Sequence, residues 1–284
     1  MIVFQEAGRL GNQLLQYAVL RAHFPHERLV LLGFGALREA VACERTWFVQ
    51  PRGLGRSLVS RLHRVLAWCA ARGWIGEGGE VRSGDACRLE WRRGRLGALT
   101  LIRLSFFQHA DFEACIAPTL ALRERWLEPA RRALAELLAQ AGGGVPVFVH
   151  VRRGDYASFP SPEAPAALPA AWYRAAMDHV RAREPAAVFV VCSDNLDWAR
   201  QELEGEPRLV YCDRGEIGDL ALMSSCAGGV MSPSTFSWWA AVFARRALAA
   251  AGRSGAFVAP RYWVGHRSGA WYPGGFRFDW ISYL

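Results

Sequence analysis

From residue 145 onward the chain alternates short apolar runs with longer helical stretches, and this alternation limits its fold more than any other feature. Strand-like runs at 145–151, 187–192, 208–211, 229–232 and 256–259 are separated by helical patterns near 169–183, 195–205, 219–226 and 234–247. Repetition of strand and helix in this order implies a parallel, doubly wound α/β sheet. Ligands of such sheets sit beyond the carboxyl ends of the strands, so polar residues placed directly after a buried run become candidates for a site. The run Val147-Phe148-Val149-His150-Val151 stops abruptly in Arg152-Arg153-Gly154-Asp155-Tyr156.

Two adjacent guanidiniums at a strand end suit a diphosphate. Arginine stays charged and presents its donors as a fork that matches phosphate oxygens, so a pair could replace the metal ion that many sugar-nucleotide enzymes use. Asp155 follows them and serves either as a base or, more in keeping with two neighbouring cations, as the group that orients them. The next strand ends in Ser193-Asp194, and its carboxylate could accept from a guanine edge. Ser232-Pro233-Ser234-Thr235-Phe236-Ser237 follows a later strand and starts a helix with hydroxyls and free N–H groups, a good place for a phosphate. No paired DxD carboxylates and no histidine cluster of metal-ligand spacing occur, so no metal is expected.

The N-terminal half is harder to read. Ile2–Gln5 is a short strand, residues 6–11 form a loop with two glycines, and Asn12 is expected to cap a helix reaching about His23. Arg9 and Asn12 would then face a ligand, although Gly8 and Gly11 lack the GxGxxG spacing of a dinucleotide fold. A strand is expected at 28–33 and another at 101–108, where Phe106, Phe107, Gln108 and His109 with Phe112 could line a sugar pocket. Residues 57–72 form a basic amphipathic helix, compatible with a membrane surface or with an ordinary solvated face. A helix at 120–141 leads to the glycine-rich stretch before Pro146, which sets the expected domains at 1–141 and 142–284.

Composition narrows the function. A hydrophobic fraction of 52% against 21% charged residues excludes a disordered chain, and no apolar run approaches the ~20 residues of a membrane span. The first residues carry no basic region followed by an apolar stretch, so no secretory signal is expected there. Seven cysteines without a CxxC pair suggest reduced thiols in a cytoplasm rather than disulfides or zinc. All 34 basic residues are arginine, which rules out Schiff-base and Walker-lysine chemistry. The net charge of +8 admits nucleic acid, an anionic membrane surface or an anionic small substrate. The most telling arginines sit at strand ends beside carboxylates and not along one stripe with interleaved aromatics, which disfavours a nucleic-acid module.

With these pieces aligned, the chain resembles the bacterial fucosyltransferases of glycosyltransferase family 11, typically α1,2-fucosyltransferases. Five segments carry the likeness: Gly8-Arg9-Leu10-Gly11-Asn12-Gln13 through Ala18, Phe106-Phe107-Gln108 with Phe112, His150 through Tyr156, Ser193-Asp194 through Trp198, and Asp219 through Cys226 with Ser234 through Trp239. The resemblance implies a GT-B fold of two facing Rossmann-like, doubly wound domains, the second binding the nucleotide. It implies GDP-fucose as donor with no cofactor, and a galactose-terminated glycan as acceptor, transferred to the 2-hydroxyl with inversion; another GDP-sugar is the alternative. By similarity Arg152 would meet the β-phosphate with Arg153 nearby, His150 and Asp194 would lie at the nucleoside, the hydroxyls of Ser234 and Thr235 would meet the diphosphate, and Ser193 and Phe236 would also contact the donor. Arg9 and Asn12 would reach the fucose, making Arg152, Asp155 and Asn12 the catalytic candidates. Gly228 and Pro233 stand where the family commonly has His and Asn. A cytoplasmic protein, with peripheral contact to the inner membrane compatible with its basic helix, completes the expectation.

Overall fold

The computed structural model describes residues 1–50, 56–83, 86–108, 120–264, 269 and 276–284. The chain divides into two compact units, one drawn from Met1–Ala121 and Gly274–Phe276 and the other from Leu122–Pro273 and Arg277–Leu284.

The first unit is built on β1 (Ile2–Gln5), α1 (Leu10–His23), β2 (Leu29–Leu32), α2 (Gly35–Ala40), β3 (Thr46–Val49), α3 (Arg56–Ala71), β4 (Gly76–Ser83), β5 (Ala86–Arg92) and β6 (Thr100–Ile102). Its sheet runs β3-β2-β1-β6-β4-β5, parallel throughout except for the antiparallel β4/β5 pair at one edge. β1 and β2 are apolar because both faces are covered, the pattern expected of a parallel sheet. On one face Val3, Leu32 and Leu101 pack against Ala70 and the half-buried Leu66 and Ala67 of α3. Elsewhere in the unit Phe4 meets Phe34 and Phe107, at ring distances of 6.1 and 5.4 Å.

Two expectations change here. The helix after β1 starts at Leu10, with Arg9 in the N-cap position and no side-chain cap, so Asn12 lies inside the first turn rather than capping it. The strand expected at 101–108 is only Thr100–Ile102, since the chain leaves the sheet at Arg103 and Phe107 adopts a left-handed φ of 53°. His109 and Phe112 lie outside the described residues.

The second unit contains α4 (Glu124–Gln140), β7 (Val145–Val151), a 3-10 turn (Gly154–Ala157), α5 (Ala170–Arg181), β8 (Ala187–Ser193), α6 (Leu196–Glu202), β9 (Leu209–Cys212), α7 (Gly215–Ser224), β10 (Gly228–Val230), α8 (Thr235–Ala250), β11 (Phe257–Ala259) and β12 (Ile281–Tyr283). The sheet order β12-β11-β10-β7-β8-β9 is wholly parallel. Counted from β7 this is the 3-2-1-4-5-6 order of a Rossmann sheet, with its switch point between β7 and β10. Val147, Val149 and Val151 share one buried cluster with Phe189, Val191, Tyr173, Met177 and Val180. The helix read at 120–141 is Glu124–Gln140, and it packs on α7 and β7. The units therefore part before this helix, at Ala121/Leu122, and not at the glycine-rich stretch 142–144 expected from composition.

Candidate active site

Within the second unit, the carboxyl ends of β7, β8 and β10 bring together residues separated by up to about eighty positions in sequence. Arg152 leaves β7 with its side chain only 15% exposed, and its fork is divided between two carboxylates. One terminal nitrogen meets Asp194 Oδ2 at 2.9 Å, and the other donates to Asp155 Oδ1. The second oxygen of Asp194 accepts from the Arg153 backbone N–H at 2.8 Å, so this carboxylate holds both the side chain and the turn that follows the strand. Gly154 makes that approach possible: a Cβ there would lie 2.6 Å from Asp194 Oδ2. Asp194 is 19% exposed and Asp155 67%, so the two partners differ in how easily water or an anion could displace them. The Tyr156 ring lies 5.3 Å from the Arg152 guanidinium carbon.

Arg153 does something else. Its guanidinium stacks on Trp198 of α6 at 4.2 Å, within weak reach of the Leu168 carbonyl, so the adjacent arginines diverge instead of forming a parallel pair. Ser193 also serves the backbone, since its hydroxyl accepts from the Asn195 N–H at 2.9 Å. Asn195 in turn caps α6 by accepting from the Trp198 N–H.

On the other side of the switch point, Ser232 joins the strand ends. Its hydroxyl accepts from the Arg152 N–H at 3.0 Å, donates to the His150 carbonyl at 2.5 Å and contacts the Tyr173 hydroxyl at 2.8 Å. Burial pushes the Tyr173 phenol up to about 12, so it stays protonated and available as a donor. Ser234 caps α8 by accepting from the Phe236 N–H at 3.2 Å, and Ser237 donates back to the Ser232 and Ser234 carbonyls. Ser234 and Thr235 are buried, and Phe236 packs its ring 5.4 Å from that of the buried His150. The N-terminus of α8, with its positive dipole end, thus opens at the end of the strand beside the one that carries Arg152. Ser232 heads a stretch that the sequence marks, but the role it plays with Tyr173 is set by packing across the sheet, which no motif reports.

The first-unit candidates are anchored locally. Asn12 Oδ1 accepts from the Gln108 amide at 3.4 Å, and Arg9 is exposed at the start of α1. Glu6 Oε2 accepts from the Phe34 N–H and, at 2.9 Å, from Gln13, which holds Phe34 at its left-handed φ of 63°. That is a structural task.

Next to Asp194, the fold gathers a cluster that cysteine spacing did not reveal. Cys192 and Cys212 are register partners on β8 and β9, so both thiols leave the same face, and with Asp219 they offer ligand atoms within 4.8 Å of one another. The Cys192 thiol donates to Cys212, which lowers the second thiol and, with burial, raises the first. Burial raises the Asp219 carboxyl to about 6 although it accepts from the Arg214 N–H.

A Rossmann sheet with a clamped arginine and a serine-capped helix at its switch point, carried in a chain with a second parallel α/β unit, defines a GT-B glycosyltransferase fold. Solved structures support this at the level of fold. A glycosyl transferase family 9 protein from Veillonella parvula superposes with a TM-score of 0.55 at 15% identity, over 100% of this chain and 86% of its own. POFUT1 in complex with GDP superposes with a TM-score of 0.51 at 14% identity, over 90% of this chain and 97% of its own. The model of glycosyl transferase family 11 matches residues 99–258, more than half of the chain, and the chain belongs to that family. Galactoside alpha-(1,2)-fucosyltransferase 1 of Bos taurus is 34% identical over 149 residues, 49% of this chain and 41% of that protein. The corresponding protein of Ateles belzebuth is 34% identical over the same share of this chain and 40% of its own. The chain thus spans about two fifths of the length of these curated relatives.

Proposed function

We propose that this protein transfers L-fucose from GDP-fucose to the 2-hydroxyl of a terminal galactose, with inversion and without a divalent metal. The observation that carries the reading is the pairing, at one switch point, of a preorganised guanidinium with the start of α8. Both are devices for holding an anion, and both belong to the family segment. Loss of the diphosphate develops negative charge on its β-phosphate, and donors already aimed there lower the barrier without reorganising. Arg152 meets that charge. Asp194 remains its anchor, while the exposed Asp155 yields its place on the fork to the phosphate oxygens. The kinship with galactoside α-(1,2)-fucosyltransferases supports the sugar, the acceptor and the linkage.

The test is incubation with GDP-fucose or GDP-mannose and a panel of galactosides, with products assigned by NMR. An α1,2-linked fucosyl galactoside formed from GDP-fucose is expected. Preference for GDP-mannose would overturn the donor, a β-linkage the stereochemistry, and absence of any glycoside the enzymatic reading.

A further inference from the structure

Helix α3 has one apolar face more than its fold requires. Val59, Leu66, Cys69 and Ala70 turn toward the first unit's sheet, where they pack with Val3, Ile75 and Leu101. A single such stripe is enough to seat a helix on a sheet. On the outward side, however, Leu58, Val65 and Trp68 recur at helical spacing and are exposed by 44%, 58% and 47%. Leu62, at the margin, is also exposed. The patch continues past the helix. Trp68 meets Trp74 edge-on at 5.1 Å, and Leu96, 71% exposed, is tied to Trp74 by a backbone hydrogen bond. Contiguous exposed apolar surface of this kind marks a place where something docks.

Charge says what docks. Residues 58–76 and 91–100, around the patch, contain six arginines and no Asp or Glu, and of the six Arg92 pairs with the neighbouring Glu77. Arg72 stacks on Trp68 at 3.7 Å, and Arg61 and Arg64 line an open recess of about 590 Å³ floored by Val65 and Trp68. Tryptophan favours the boundary between hydrocarbon and water, and arginine can bury its stem while its head stays among phosphates. A helix with an apolar outer stripe and only cationic flanks is the form that lies in the plane of an anionic bilayer.

We propose that the outer face of α3, with Trp74 and Leu96, docks this protein on a membrane surface rich in anionic phospholipid. It is separate from the residues that bind the nucleotide, so it sets location and not chemistry.

The experiment is sedimentation of the full chain with vesicles of phosphatidylcholine alone or mixed with phosphatidylglycerol, at low and high salt. Binding to the anionic vesicles, weakened by salt and absent from the neutral ones, is expected. The double variant Arg61→Gln/Arg64→Gln should lower the partition coefficient about fivefold per arginine removed. A second variant, Val65→Ser/Trp68→Ala, should lose binding in a salt-independent way. Both should keep their transfer rate on a soluble acceptor and their thermal midpoint, which separates a docking defect from a folding one. Equal binding to neutral vesicles, or none to either, would overturn the proposal. So would a concentration-dependent dimer or binding to RNA that these variants abolish while vesicle binding is unchanged.

Discussion

Arg152 is held from two sides before any ligand arrives. A carboxylate at each terminal nitrogen fixes the plane of the guanidinium, and the Ser232 hydroxyl fixes the backbone from which it springs. Lysine at this position would keep the charge, but one ammonium cannot span Asp155 and Asp194 and still present a flat face of donors to a diphosphate. Arg152→Lys and Arg152→Ala are therefore both expected to reduce kcat by about 100-fold or more, the usual cost of losing a preorganised donor. Steady-state kinetics with circular dichroism as a folding control checks this, and near-wild-type turnover of the lysine variant would contradict it. Arg153 illustrates what motif reading misses at this scale. The sequence offers two equivalent guanidiniums, but consecutive residues leaving a strand cannot point the same way, and Trp198 takes the second one.

At the scale of elements, α7 carries a titrating group with a defined sign. Asp219 sits within this helix, 8% exposed, and its carboxyl titrates at about 6 in the folded protein because burial disfavours the anion. A raised carboxyl means that the folded state prefers the proton. The stabilising contribution is then complete below the ordinary value of 3.8 and is lost as pH rises through about 6. Asparagine keeps the acceptor for the Arg214 N–H without the charge. Asp219→Asn should thus be more stable than wild type at pH 8 by on the order of 3 kcal/mol, with the gap closing between pH 6 and 4. Denaturant melts across that range provide the measurement, and a gap that stays constant with pH would refute the assignment. Elements themselves were legible where periodicity alone shapes them. β7 was read to the residue, as Val145–Val151, and β8 to within one residue because its strand is buried on both faces. β4 was not, since Gly76 and Gly78 leave no apolar pattern. They are glycines because a Cβ would meet Thr100 Oγ1 at 2.5 Å and Ile102 Cδ1 at 2.7 Å, a demand of the neighbouring strand that no local signal reports. The Arg152–Asp194 clamp and the Cys192–Cys212 pair were hidden for the same reason: register across the sheet creates them.

Across the whole molecule, the proposed transfer raises the question of what would neutralise a leaving diphosphate in a chain with 34 arginines and no lysine. A divalent ion such as magnesium needs hard oxygen ligands, and among the described residues the carboxylates ion-paired with Arg152 are Asp155 and Asp194. Asp194 uses one oxygen on the guanidinium and the other on the Arg153 N–H, and Asp155 closes the second side of the fork. Recruiting Asp194 to a metal would release the arginine it holds, so at that carboxylate the two ways of stabilising the phosphate compete. Among the described residues, the cluster with metal-ligating geometry is Cys192, Cys212 and Asp219, in which two thiols favour soft ions over magnesium or manganese. The organisation of the second unit therefore favours cationic side chains and a helix N-terminus for this task. Transfer from GDP-fucose should proceed at an unchanged rate in excess EDTA and gain nothing from added magnesium or manganese. An initial rate that collapses in EDTA and returns with either ion would show that the clamp on Arg152 opens to bind metal, and that the arginine is not the principal counter-charge.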